Sequence, residues 1–262
     1  MVALLAVAVV SLDRGCARPS AQDLQPLVPP VPGGLRVMTF NVNYALADHP
    51  DNIAAIEQGD ADVVLLQETT HDGELAVREA LSDRYPHMRF RDCCNAGGLG
   101  ILSKYPIADD QYLASPTRWF PAWRFVIDTP DGPVQLLDVH LRPPISDSGS
   151  WLVGAFTTDE IRLAEIEAFG AALDPAMPTI VAGDFNESEQ GDAVEWLGQR
   201  GFASVLPQFD PLATTWHWEL PLSSVQFRLD HIVVGPQWRA VGARVLDAGV
   251  SDHRPVLAVL VR

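Results

Sequence analysis

Apolar residues in this chain come in short, sharply bounded runs. Residues 35–40, 63–66, 134–139, 179–182, 229–234 and 256–261 are rich in Val, Ile and Leu. Such runs predict strands buried on both faces. Trp123, Phe125 and Ile127 alternate with polar or smaller residues and lead through Thr129-Pro130-Asp131-Gly132 to Val134, a hairpin signal. Helical patterns fall between the strands. Thr157 and Glu160 read as a capping box ahead of Leu163, Ile166, Gly170 and Leu173, which recur at helical spacing. Residues 192–200 predict a second helix stopped by Gly201, and 51–58 and 73–82 predict two more. Interleaved helices, several strands and one hairpin make an α/β domain with mixed sheets.

That domain occupies residues 35–262. Ahead of it lie Pro19, Pro26, Pro29, Pro30, Pro32, Gly33 and Gly34, so 17–34 reads as a proline-rich linker that supports neither helix nor sheet ladder. The apolar run from Val2 to Leu12 is shorter than the roughly 20 residues a membrane span needs. It has the length of a signal-peptide core, so residues 1–16 are read as an export signal or anchor and the protein as exported or membrane-tethered.

Composition narrows the function classes. The 262 residues are 47% hydrophobic, enough for a sizeable core. Their 18 basic and 34 acidic residues give a net charge of −16, and Lys104 is the single lysine. So acidic a surface repels polyanions and argues against general nucleic-acid coating, yet it leaves open a site that carries its own divalent cation. Three cysteines without CxxC spacing exclude a thiolate zinc site. The adjacent Cys93 and Cys94 are read as either a disulfide or free thiols.

The informative polar residues stand where strands end. Residues 35–40 run into Asn41, 63–66 into Gln67-Glu68, 134–139 into His140-Leu141-Arg142, and 179–182 into Gly183-Asp184-Phe185-Asn186. Asp230 opens another strand, and Ser251-Asp252-His253 precedes the last one. Singly, each has an ordinary explanation as a turn former, a cap or a satisfied histidine. Together they supply hard oxygen ligands, imidazoles for proton transfer and amides that can donate to a phosphate.

In their order and spacing these residues resemble the endonuclease/exonuclease/phosphatase superfamily, and Gly98-Leu99-Gly100-Ile101-Leu102-Ser103-Lys104-Tyr105-Pro106-Ile107 resembles one of its strands. The resemblance covers residues 35–262. It implies a deoxyribonuclease-I-like fold: a four-layer sandwich of two packed mixed β-sheets flanked by helices. It further implies a phosphodiesterase that uses Mg²⁺, or Mn²⁺, for in-line attack by water on a nucleic acid or on a lipid or small-molecule phosphodiester. On this resemblance Glu68 is the main metal ligand, with Asn41 beside it and Asp252 contributing. Asp184 orients or deprotonates the water, and Asn186 donates to the phosphate. Asp230 polarises His253, while His140 is a second imidazole at the phosphate. Arg142 is a candidate clamp for a second phosphate oxygen, with a surface ion pair as its alternative. Asn43 and His140 depart from the abasic-endonuclease pattern of the superfamily and favour its histidine-bearing branches. Arg118-Trp119-Phe120-Pro121 and the stretch 144–158 offer aromatic residues for a substrate rim or the edge of the core. No protein partner is implied. A non-catalytic phosphate-binding module with the same fold, and an envelope structural protein, are the competing readings.

Overall fold

Two strand pairs at the centre of the molecule run parallel, and each needs a long crossover. In the computed structural model, which describes residues 31–145, 158–220 and 223–262, β1 (Leu35–Asn41) and β2 (Val63–Gln67) form the first pair. Helix α1 (Pro50–Gly59) lies between them in sequence. The second pair is β7 (Gly132–His140) and β8 (Thr179–Asp184), with α3 (Asp159–Gly170) in the crossover. Parallel neighbours cannot be joined by a tight turn, which is why each pair brackets a helix.

Around each pair the sheet is completed by antiparallel strands. The first sheet has the order β13-β14-β1-β2-β4-β3, adding β3 (His87–Arg91), β4 (Leu99–Ser103), β13 (Arg239–Val245) and β14 (Val256–Val261). The second has the order β5-β6-β7-β8-β12-β9, adding β5 (Ile107–Leu113), β6 (Ala122–Thr129), β9 (Ala203–Ser204) and β12 (Asp230–Val234). A separate hairpin pairs β10 (Trp216–Leu220) with β11 (Ser223–Phe227). All six expected apolar runs are strands, and β6 and β7 form the expected hairpin.

Alternation along each central strand sorts side chains into three cores. Val37, Val63, Leu65, Leu136, Ile180 and Val256 fill the space between the sheets. Met38, Phe40, Val64 and Leu66 face outward onto α1 and α2 (His71–Leu81). Leu137, Val139 and Val181 face α3 and α4 (Asp192–Gly198). The result is the four-layer sandwich, helix on sheet on sheet on helix. Strands covered on both sides have no solvent-facing side, hence the predominantly apolar runs.

Two helix expectations change. The N-cap of α3 is Thr158, which makes no side-chain cap bond; its Oγ1 accepts from Arg162 instead, at 2.7 Å. Thr157 lies outside the described residues. The buried face of α3 is Arg162, Glu165, Ile166 and Phe169, not the stripe through Leu163 and Gly170. Pairing makes this possible. Arg162 donates from Nε to Glu187 at 2.9 Å, and Glu165 accepts from the Arg142 backbone N–H at 2.8 Å. Helix α4 ends at Gly198, slightly before the expected end, and Gly201 at φ +83° closes the turn. Residues 1–30, with the expected signal and most of the linker, lie outside the described residues, as do Trp151, Leu152, Val153 and Phe156.

A polar group crosses the inter-sheet core directly behind the strand ends. Thr39 and Gln67 share a hydrogen bond, and Gln67 Nε2 donates to Asp138 Oδ1 at 2.6 Å, while Asp138 Oδ2 meets no donor. Burial drives the Asp138 pKa well above its ordinary 3.8, and the Gln67 bond offsets this only in part. A carboxyl with a raised native pKa imposes no penalty at low pH, and destabilises progressively as pH climbs from the ordinary value up to the raised one. Asp138→Asn should therefore gain stability relative to the parent as pH rises from about 4 toward neutrality. Urea unfolding at the two ends of that range measures it, and an equal difference at both would show that Asp138 is ionised in the native state.

Candidate active site

The strand directions place the site. β1, β2, β7 and β8 all end at one edge of the sandwich, which brings Asn41, Glu68, His140 and Asp184 there. Strands running the other way begin at the same edge: Asp230 stands opposite Asp184 in register, and His253 precedes β14. Ligand groups collect at such ends because the backbone there has left the ladder.

Local backbone geometry aims the side chains. Glu68, Asn43 and Asn186 have φ values of 60°, 58° and 53°, the left-handed region that non-glycine residues enter at some cost and mostly at functional positions. Gly183, at φ +148°, lets β8 approach β7: a Cβ there would sit 1.9 Å from the Val139 carbonyl oxygen. Only glycine allows Asp184 to come so close to His140.

Asp184 is the hub. Its Oδ2 lies 3.6 Å from His140 Nε2, 3.6 Å from His253 Nε2, and accepts from Asn41 Nδ2 at 3.1 Å. Its Oδ1 accepts from the Asn186 backbone N–H at 2.9 Å. The Asn41 amide also donates to Glu68 Oε1 at 3.0 Å, so one side chain spans the two carboxylates, while its oxygen accepts from the Asn43 N–H. Asn41 is thus a bridge between acids, its oxygen turned to its own loop. Glu68 Oε2 accepts from the Tyr44 N–H at 3.0 Å.

His253 Nδ1 donates to both oxygens of Asp230, at 3.1 and 2.9 Å. Burial alone would lower the pKa of this imidazole, but the Asp230 and Asp184 charges and the Asp230 hydrogen bond outweigh it and push it up to about 10. His253 is therefore an imidazolium at neutral pH. His140 behaves oppositely: burial lowers its pKa, only partly countered by Asp184, and it is neutral. Its Nδ1 faces the Ala96 carbonyl at 3.1 Å. A carbonyl only accepts, so the proton sits on Nδ1 and Nε2 presents its lone pair to the cleft. Burial raises the pKa values of Asp184 and Glu68, against the His253 charge in the first case and the Asn41 bond in the second.

Asp252 sits beside His253 and is held at both oxygens, by Asn43 Nδ2 at 2.8 Å and Trp216 Nε1 at 2.9 Å. Burial pushes its pKa up, but the His253 charge and those two bonds win and hold it low. Asn186 Nδ2 donates to the Leu141 carbonyl at 3.0 Å. Arg142 lies behind this group: its guanidinium stacks on the Trp119 ring at 3.7 Å and donates to the Ile145 carbonyl. The structure thus brings together Asn41, Glu68, His140, Asp184, Asn186, Asp230, Asp252 and His253, and engages Arg142 in the adjacent loop packing.

Several contributors escaped the sequence reading. Asn52 on α1 accepts from the backbone N–H groups of Val250 and Ser251 and donates to Val42 and Leu46, bracing the loops on both sides of the site. Thr215 Oγ1 accepts from the Asp230 N–H. Phe120, offered by the sequence as a rim or core-edge aromatic, stacks on His140 at 4.3 Å between ring centroids. Trp216 ties the β10–β11 hairpin to Asp252, and Trp218, Val225 and Phe227 share its face of that hairpin, with Trp218 and Phe227 half exposed. Only the turn residues flanking the known motifs could have hinted at these. A cavity of about 360 Å³ opens at the far end of β8 beside Met177, Trp196 and Phe202. Its lining includes Glu167, Asp174 and Arg200 but no histidine and none of the strand-end residues, so the strand-end cleft is the candidate site.

Two carboxylate groups there could hold a cation. Asp184, Asp230 and His253 place ligand atoms within 4.8 Å of one another, but as an imidazolium His253 has no lone pair for a metal, and its charge offsets one of the two carboxylates. Glu68 has only neutral donors around it, and its donor set is all hard oxygen with no thiolate. That fits Mg²⁺ or Mn²⁺.

The sequence model of the Endonuclease/Exonuclease/phosphatase family matches residues 38–253. No curated protein matches the chain. Among solved structures, an endonuclease/exonuclease/phosphatase from Beutenbergia cavernae DSM 12333 superposes with a TM-score of 0.69 at 22% identity, covering 87% of this chain and 71% of that one. D. rerio TDP2 complexed with a single-strand DNA product superposes at 0.69 with 16% identity, over 87% and 99%. ANGEL2, a 2′,3′-cyclic phosphatase in complex with adenosine-2′,3′-vanadate, superposes at 0.67 with 14% identity, over 87% and 95%. With its deoxyribonuclease-I-like sandwich and a profile match running from the first central strand to His253, the chain belongs to the Endonuclease/Exonuclease/phosphatase family, whose chemistry is the hydrolysis of phosphoester bonds.

Proposed function

We propose that this protein is a divalent-cation-dependent phosphodiesterase. The observation that carries the reading is the position of Asp184 Oδ2, 3.6 Å from an imidazolium on one side and 3.6 Å from a neutral imidazole on the other. Hydrolysing a phosphodiester requires a positioned water, positive charge at the non-bridging oxygens and relief of charge on the leaving oxygen. Asp184 orients the water and accepts its proton. The raised pKa suits that task, because a base with an affinity nearer the working pH takes a proton more readily. His253, held charged by Asp230, donates from Nε2 to a phosphoryl oxygen. His140 and the Asn186 amide line the opposite wall. Glu68 would hold the cation, with Asp252 assisting from the hairpin side; when bound, the ion neutralises charge that develops on the phosphoryl group.

The charge of −16 and the single lysine favour substrates that present one phosphoryl group rather than a long duplex, whose binding rests on many Lys and Arg contacts. The half-exposed aromatic face of the β10–β11 hairpin lies on the same rim and suits an apolar or aromatic leaving group. We read the protein as exported or tethered through its N-terminal apolar run; among the described residues, no helix is long and apolar enough to cross a membrane.

The test is hydrolysis of bis(p-nitrophenyl) phosphate by the purified protein with Mg²⁺ or Mn²⁺, run beside plasmid DNA, RNA, sphingomyelin and phosphoinositides over a range of salt. The expected result is turnover that EDTA stops and added cation restores. Activity unaltered by EDTA would overturn the cation assignment.

A further inference from the structure

The loop between β3 and β4 joins a disulfide to one of the two imidazoles. Cys93 and Cys94 form a disulfide between adjacent residues, with Cys94 exposed and Cys93 half-buried. Cys94 and Asn95 follow each other at φ +42° and +61°, two successive left-handed residues. The Cys93 carbonyl then accepts from the Gly97 N–H at 3.0 Å, closing the turn.

Three contacts run from this turn into the cleft. The Ala96 carbonyl is the acceptor that fixes the His140 proton on Nδ1, at 3.1 Å. Gly97 is wedged between sulfur and ring: a Cβ there would lie 2.7 Å from Cys94 Sγ and 3.0 Å from Phe120 Cδ1, and Phe120 is the ring stacked on His140. The Gly98 carbonyl accepts from the Thr69 N–H, one residue beyond Glu68. The same short turn therefore holds His140 by its Nδ1 proton and, through Phe120, by its ring face.

We infer that Cys93–Cys94 is a thiol–disulfide modification site whose state governs the tautomer and placement of His140. A thiolate of a small dithiol attacks the exposed Cys94 sulfur, the S–S bond breaks, and Cys93 leaves as the thiolate. The second thiol of the reagent then resolves the mixed disulfide. The protein gains two electrons and two protons, and the reagent becomes a cyclic disulfide. Opening the pair frees the two left-handed residues to relax, which withdraws the Ala96 carbonyl and loosens the packing of Gly97 on Phe120. The predicted effect on turnover rests on the functional reading above; the effect on His140 does not.

Three measurements on the full chain test this. Alkylation with iodoacetamide should add two more carbamidomethyl groups after dithiothreitol than before, whatever Cys16 contributes to both. Long-range ¹H–¹⁵N spectra, with the His140 signals assigned by their loss in His140→Gln, should show a single Nδ1-protonated tautomer in the oxidised protein and a tautomer mixture after reduction. Hydrolysis should fall by about tenfold, roughly the worth of one well-made hydrogen bond, and recover on reoxidation with a small disulfide. The Cys93→Ser/Cys94→Ser variant should show the reduced-state spectrum and ignore dithiothreitol. His140 signals that respond in a protein with no hydrolytic activity would support the modification site and overturn the functional reading. Equal alkylation before and after reduction, or His140 signals indifferent to an opened disulfide, would overturn the inference.

Discussion

Replacing His253 by alanine is expected to lower turnover of a phosphodiester by about three orders of magnitude, within the range associated with a positioned acid or base. The imidazolium is the one protein cation at the hub, and its charge is held by Asp230, whose two oxygens both receive Nδ1. A structural explanation must be separated from this catalytic one. Removing one partner of a buried pair leaves the other charge uncompensated, a cost of about 3–5 kcal/mol. His253→Ala therefore strands the Asp230 carboxylate, and the variant loses stability as well as rate. Adding Asp230→Asn removes the stranded charge. The double variant should regain much of the stability and none of the rate, whereas recovery of both would make the pair architectural. The pH dependence has a definite sign. Because the native pKa of His253 lies above its unfolded value, the pair stabilises fully below about 6.5, and that contribution is lost as pH rises through about 10. Activity should decline only as pH nears about 10, where the native imidazolium gives up its proton. Asp184→Asn should match the loss of rate from the other side of the hub, since the amide keeps the Asn186 contact but cannot take a proton.

The central strands and the residues at their ends were legible because one physical fact governs both. A strand covered on two faces must be mostly apolar, so the cluster of polar residues at its end marks where the ladder stops, and Asn41, Glu68, His140 and Asp184 belong to such clusters. The edge strands carried no comparable signal. β3 reads His-Met-Arg-Phe-Arg and β5 holds Asp109 and Asp110, charges that discourage pairing with another chain and look like loop in a linear reading. The buried face of α3 was misread for a related reason: Arg162 and Glu165 count as solvent-facing unless Glu187 and the Arg142 backbone, distant in sequence, are known to receive them. Asn52, Thr215 and Trp216 matter only through contacts made after folding. Asn52 meets the loop before His253 from 198 and 199 residues away, and no local pattern could disclose that.

Glu68→Gln should produce effects of opposite sign with and without cation. In the metal-free protein, Glu68 is a carboxylate whose pKa burial raises despite the Asn41 and Tyr44 hydrogen bonds. Such a group destabilises the native state increasingly as pH climbs from its ordinary value to its raised one and stays destabilising above it, so the neutral isostere should melt higher than the parent in EDTA at neutral pH. With Mg²⁺ present the order should reverse. A ligand that binds only the native state stabilises it by RT ln(1 + [L]/Kd), and the parent alone retains the carboxylate that would hold the ion. Turnover in the variant should fall by at least about 100-fold, with half-saturation by Mg²⁺ moved to higher concentration, since even groups supporting a metal ligand are worth 10- to 100-fold. Thermal melts in EDTA and in a Mg²⁺ series decide the matter without reference to any substrate. If Mg²⁺ raises both proteins equally, the cation lies elsewhere, and the group formed by Asp184, Asp230 and His253 becomes the place to look. If Mg²⁺ raises neither, Glu68 acts on the substrate directly, and the left-handed backbone that aims it into the cleft serves a proton rather than a metal.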